Sequence, residues 1–193
     1  MEAALDVFAA KGWARAGVKE ICAAAGLTDR YLYESWPNTS ELFLDVHQAA
    51  ADRLFHGVLK EVEPLGPDAG PIPLAKALVG GFVRGLEADP RIAHMLFVDP
   101  GPQDLAPERS ETIRRNMLRW ATLMEGVATT YLGPELAGSG SLRFWSLSTV
   151  GAFRTTTVEW LAGGLDLSAD ELVDALVRLM LEGGRRLAED QGP

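Results

Sequence analysis

The stretch VKEICAAAGLTDRYLYESW, residues 18–36, decides how this chain folds. Val18, Ile21, Cys22 and Ala25 recur at i, i+3, i+4 and i+7, the spacing of one apolar helix face. Gly26 follows that face where a left-handed C-cap needs a residue without a Cβ. Leu27 is expected to pack inward. Thr28 is expected to cap a second, shorter helix whose first turn carries Asp29 against the positive helix end. Helix, glycine turn, then a short helix rich in Tyr and Arg is the grammar of a helix-turn-helix, whose second helix enters a DNA major groove.

Upstream, a helix is predicted over 1–11, with Ala4, Leu5 and Phe8 inward and Gly12 ending it. Downstream, Pro37-Asn38 breaks the chain, and Asn38 with Glu41 makes a capping box for a long helix reaching Val62. Its apolar positions fall in two stripes, Leu42, Val46 and Ala49 beside Phe43, Ala50, Leu54 and Val58, so it serves two neighbours. The proline- and glycine-rich PLGPDAGPIP at 64–73 is a loop and a candidate boundary.

Beyond it the pattern stays helical, with helices predicted over 74–88, 90–98, 107–132 and 142–162. Pro90 and Pro107 suit first-turn positions. Gly163-Gly164 closes the fourth of these, and Ser168 with Glu171 caps a last helix to about residue 188. No alternating strand, internal repeat or low-complexity tract interrupts the series. The expectation is an all-α chain of about nine helices. It divides into an N-terminal three-helix helix-turn-helix DNA-binding domain, 1–45, and a larger C-terminal helical ligand-binding and dimerisation domain, 46–193.

The 193 residues, 47% hydrophobic and 23% charged, are ample for a packed core. No run of about 18 apolar residues suggests a membrane span. The opening MEAALDVF carries acid where a signal peptide carries positive charge, so a cytoplasmic protein is expected. The single cysteine, Cys22, lies on the apolar stripe and reads as a small core residue. The net charge of −9 argues against a non-specific nucleic-acid coat. Even the first 53 residues hold five basic against eight acidic side chains, so any DNA contact rests on local placement of charge.

Three segments, AALDVFAAKGW at 3–13, VKEICAAAGLTDRYLYESWP at 18–37 and ELFLDV at 41–46, together resemble the DNA-binding domain of the tetracycline-repressor (TetR) family of bacterial regulators. The spacing of Phe8, Gly12, Ala24-Ala25-Gly26, Leu32-Tyr33 and Trp36 carries the likeness. DPRIAHMLFVD at 89–99 also looks like a segment seen in many members. The resemblance implies a recognition helix over 28–35, with Leu32 and Trp36 turned into the three-helix core. Thr28 and Arg30 become groove-facing, Arg30 suited to a bidentate contact with guanine. Tyr31 and Tyr33 suit phosphate or thymine-methyl contacts, and Lys19 the phosphate backbone. Asn38, Thr39 and Ser40 present a helix N-terminus to a phosphate. Two departures stand out. Members commonly carry Lys where this chain has Thr39, and the chain starts within the first helix, where a basic arm is usual.

The C-terminal part is rich in large apolar side chains. The resemblance implies an inducer pocket among the middle helices, with Phe82, His94, Phe97, Met117, Trp120, Met124 and Phe153 as candidate lining; core packing is the alternative use of the same residues. Arg84, Arg115, Glu125, Arg154, Thr156 and Glu159 could orient a ligand. In the last helix Leu172, Leu176, Leu179 and Gly183 mark one face and Val173, Val177, Met180 and Gly184 another. Ser148, Gly151 and Thr155 form a small-residue track on the helix before. A two-fold four-helix bundle would use both and fits the family's homodimer; a helix buried inside one chain would show the same two-faced pattern. Such a dimer sets two recognition helices about 34 Å apart, for successive major grooves.

No nucleophile elbow, phosphate loop, dinucleotide motif or metal-ligand spacing appears, so the chain reads as no enzyme and as needing no cofactor or metal. The expected function is a ligand-responsive transcriptional regulator, a repressor in its simplest form, with double-stranded operator DNA and a small amphipathic or apolar effector as partners. The alternative is a helical small-molecule-binding or adaptor protein with a degenerate DNA-binding domain.

Overall fold

The computed structural model describes residues 1–66, 68–98 and 107–189. Among them nine α-helices follow one another: α1 (Glu2–Lys11), α2 (Val18–Ala25), α3 (Asp29–Ser35), α4 (Thr39–Val62), α5 (Pro71–Ala88), α6 (Pro90–Ala93), α7 (Pro107–Leu132), α8 (Gly140–Leu161) and α9 (Ala169–Glu189). The helix expected over 90–98 changes hydrogen-bond register: α6 gives way to a five-residue π-helical segment, His94–Val98.

Gly26 adopts φ 66° and ψ 28°, the left-handed conformation that the turn required. The Leu27 N–H then returns to the Cys22 carbonyl at 2.9 Å and closes α2. Phe8, Ile21, Cys22, Leu32 and Phe43 fill the core of α1–α4, with the rings of Phe8 and Phe43 edge-on at 5.4 Å. Burial pushes the Cys22 thiol up, which suits a core residue. Three details differ from expectation. Ala25 is exposed and Leu27 is 51% exposed, because both flank a turn at the edge of a core that larger rings already fill. Thr28 has N-cap backbone geometry without a capping bond from its side chain. Trp36 is half-buried, its indole N–H donating to Asp45 at 2.7 Å.

Asn38 caps α4, its Oδ1 accepting from the Glu41 N–H at 2.9 Å. α4 then runs unbroken through residues 45 and 46. Its first half buries Leu42, Phe43 and Val46; its second half buries Leu54 and Val58, while Ala49 is exposed. α5 lies along α4, α9 lies on α5, and α7 and α8 close the body. Gly81 permits the close α4–α5 approach, since a Cβ there would sit 3.1 Å from the Val58 Cα. One apolar core runs from Phe8 through Val83 and Met95 to Met180.

α9 corrects the expected partner-facing surface. Leu172, Leu176 and Met180 are 1%, 3% and 4% exposed within a single chain, and Val173 and Val177 are buried too. The reason is position: α9 packs on both α5 and α8, so its two apolar faces find partners in the same chain. Gly183 abuts Trp145 of α8, 2.7 Å from a notional Cβ to the indole nitrogen. Only Leu179 of the expected apolar set faces outward, at 53% exposure.

Candidate functional site

Leu32 is the buried anchor of α3. Around it Thr28, Arg30, Tyr31 and Tyr33 are exposed, so one apolar residue fixes the helix and frees four polar or aromatic ones. Lys19 is exposed at the start of α2. Arg30 reaches forward to Glu34, one helical turn on, at 2.9 Å, and Lys11 pairs with Glu20 at 2.5 Å. Arg30 and Lys11 therefore carry acidic neighbours. Asn38 is engaged in its cap, with Thr39 and Ser40 half-buried in the first turn of α4. A helix end of this kind offers backbone N–H groups to a phosphate.

A second feature lies in the body. A cavity of about 160 Å³ opens between α4, α5, α7, α8 and the π-helical segment. Phe82, Phe97, Trp120, Met124 and Phe153 line it, as the sequence suggested for a pocket. Phe82 stands 6.0 Å from Phe97 and 5.5 Å from Trp120, centroid to centroid. His94 is not in the lining but sits one turn before Phe97, and the side chain of Met117 lies outside the described residues. Sequence reading missed Val58, Leu78, Val79 and Leu123, aliphatic residues that periodicity cannot separate from core. Of the polar candidates, Arg154 is the single charged side chain in the lining among the described residues. Its Nη2 donates to the Phe97 carbonyl at 2.8 Å and its guanidinium lies 5.5 Å from the Phe97 ring centre. Glu125 is taken by Arg143 at 2.7 Å, and Arg84 pairs with Glu61 at 3.5 Å.

Along α8 the small-residue track Ser148, Gly151 and Thr155 is exposed, beside Phe144 at 74% and Leu147 at 41%. Leu147 and Gly151 belong both to this open face and to the cavity wall.

Residues 1–46 match the family model described as bacterial regulatory proteins, tetR family. The match spans the whole N-terminal head, from α1 into the start of α4. The whole chain has the TetR-like fold, a helix-turn-helix head on a helical body. It is similar to a TetR-like transcriptional regulator from Rhodococcus sp. RHA1, at 20% identity and TM-score 0.73 over 94% of this chain and 91% of that one. It is similar to FadR from Bacillus subtilis, solved in complex with stearoyl-CoA, at 16% identity and TM-score 0.77 over 94% and 96%. It is also similar to AibR, solved in complex with isovaleryl coenzyme A and operator DNA, at 16% identity and TM-score 0.69 over 92% and 94%. No curated protein matches the chain by sequence. No helix among the described residues is long and apolar enough to cross a membrane.

The head is tied to the body by charge as well as by α4. Arg91 of α6 binds Asp89 at 2.7 Å and Asp6 of α1 at 2.5 Å, and Arg53 of α4 binds Glu2 and, at 3.4 Å, Asp89. The Arg91 bond holds the Asp89 carboxyl below the usual carboxylate range, and the Arg53 bond does the same for Glu2. A parallel link joins α4 to α7, where Asp52 accepts from Gln48 at 2.9 Å and from Arg119 at 2.5 Å. Between these links His47 is buried in α4 against the Phe43 ring, and burial lowers its pKa to about 4.

Proposed function

We propose that the chain is a cytoplasmic, ligand-responsive transcriptional regulator that acts as a repressor. It binds a palindromic operator as a homodimer through residues 1–45, and a small amphipathic or apolar effector held by residues 46–193 releases it. One observation carries the reading. The helix that follows the recognition helix, α4, runs without a break into the wall of the body's cavity, where Val58 contributes. A ligand with different affinity for two settings of α4 therefore biases the position of α3, and that differential affinity is the coupling.

In this reading Lys19, Thr28, Arg30, Tyr31 and Tyr33 meet the operator, with Asn38, Thr39 and Ser40 offering a phosphate site. The effector lies against Phe82, Phe97, Trp120, Met124 and Phe153. The dimer forms on Ser148, Gly151 and Thr155 with Leu179, and because Leu147 and Gly151 also wall the cavity, a partner copy would cover one side of it. The acyl-coenzyme A ligands of FadR and AibR support an effector with an acyl-like body. A cavity of about 160 Å³ suits the smaller of such bodies.

Selection of random duplex DNA on the purified protein at low salt tests the proposal. Enrichment of a two-fold-symmetric motif is expected. Recovery of unenriched sequence overturns the regulator reading. The acidic setting of Arg30 beside Glu34 favours, in that event, a ligand-binding adaptor with a degenerate head.

A further inference from the structure

We infer that the effector carries a carboxylate, and that Arg154 of α8 is the side chain that meets it. The inference rests on the proposal that the cavity is the effector site and names the ligand class for it.

Among the described residues the walls of that cavity are apolar apart from Arg154. Its guanidinium donates to a neutral group, the Phe97 carbonyl at 2.8 Å, and its buried Nε has no partner. A partly buried guanidinium is stabilised more by an anion than by a carbonyl, and a forked donor matches a carboxylate. Three further buried polar atoms without a partner lie on the same two segments, on residues that do not line the cavity, one of them the Trp145 indole nitrogen. His94 Nδ1 is three residues before Phe97 on the π-helical segment, and Thr157 Oγ1, on a fully buried residue, is three residues after Arg154 on α8. A carboxylate is an acceptor with about four lone-pair directions, so one such group satisfies the Nε–H and an Nη–H of Arg154 together. With its body among Phe82, Trp120 and Met124, the ligand is a small monocarboxylic acid of short-chain, branched or aromatic type. Its anion competes with the Phe97 carbonyl for Arg154, which places the first effect of binding on the segment that leads to α6.

The test is calorimetry on the full chain with matched pairs: hexanoate and hexanamide, 4-methylpentanoate and its amide, phenylacetate and its amide, and the coenzyme A thioester of each acid. At least one acid is expected to bind about tenfold or more tighter than its amide and thioester. Arg154→Gln is expected to bring acid and amide within about threefold, and Arg154→Lys to restore part of the preference, which a loss of packing alone would not do. Equal binding of acid and amide, tighter binding of the thioester, or a preference that survives Arg154→Gln overturns the inference while leaving the cavity as the site. If no member of any set binds, the effector-site reading itself fails and this inference with it.

Discussion

The guanidinium of Arg91 binds Asp6 of α1 at 2.5 Å while holding Asp89 at 2.7 Å, so the head's first helix is latched to the segment that becomes the cavity wall. Chain order makes the latch short: only Ile92 and Ala93 separate Arg91 from His94, the start of the π-helical segment that carries Phe97. Arg91→Met removes it and spares the aliphatic stem. Asp6 is well solvated and Arg91 and Asp89 are partly so, so the expected cost is about 1 kcal/mol, and smaller at high salt. The functional effect is expected to be larger. A variant that binds operator and effector normally but no longer releases DNA on effector addition places coupling in this latch. Normal release in the variant assigns the coupling to α4 alone.

His47 gives the protein an acid-side weakness that can be located. Burial lowers its pKa from 6.5 to about 4, so between those values the unfolded chain binds a proton that the folded chain refuses. Stability therefore rises with pH across this window and is fully present above it. Lowering the pH from 7 to 5 is expected to remove about 2 kcal/mol through this one group. Urea unfolding of the protein and of His47→Leu at both values measures it, and the variant is expected to lose that part of the slope. Asp89, Glu2 and Asp52, whose folded pKa values are also depressed, add a loss at still lower pH that the variant retains.

The head was legible in sequence because its geometry is local. Gly26 must be left-handed, Asn38 must cap, and Leu32 must face in, each dictated within a few residues. Leu27 escaped because its exposure depends on how Phe8, Trp13 and Phe43 crowd the core, which spacing does not encode. The body was legible as helices but not as surfaces. The apolar faces of α9 could serve a partner copy or the same chain, and only the position of α5 and α8 decides. Likewise Phe82 and Val79 read alike as core, and the space between them is a property of packing. Arg154 was one of several polar candidates in the sequence, and that it lines the cavity is again a property of packing.

The α8 face carries a prediction about assembly. Phe144 is 74% exposed and Leu147 41%, beside a track of small residues that lets another helix approach closely. Phe144→Asp is expected to turn a sedimenting dimer into a monomer without changing the far-ultraviolet circular dichroism. Leu172→Asp, by contrast, is expected to unfold the chain, because that residue is 1% exposed. A Phe144→Asp protein that still sediments as a dimer moves the interface elsewhere.

The operator face yields the last expectation, and it turns on a competition. Arg30 extends 86% of its side chain to solvent yet is held by Glu34 at 2.9 Å on the same helix face. To read a guanine, its guanidinium must leave that carboxylate, and Glu34 must then approach the phosphates with its charge uncompensated. Glu34→Gln removes both penalties, so operator affinity is expected to rise about tenfold, with a steeper salt dependence as net repulsion falls. Arg30→Ala is expected to cost about 1–3 kcal/mol and to relax sequence preference at one base of each half-site. Combining the two distinguishes the roles. If Glu34 acts only by holding Arg30, Glu34→Gln brings no gain in an Arg30→Ala background. If it acts by repelling phosphate, the gain persists there. An Arg30→Ala protein with unchanged affinity and preference would remove Arg30 from the interface altogether.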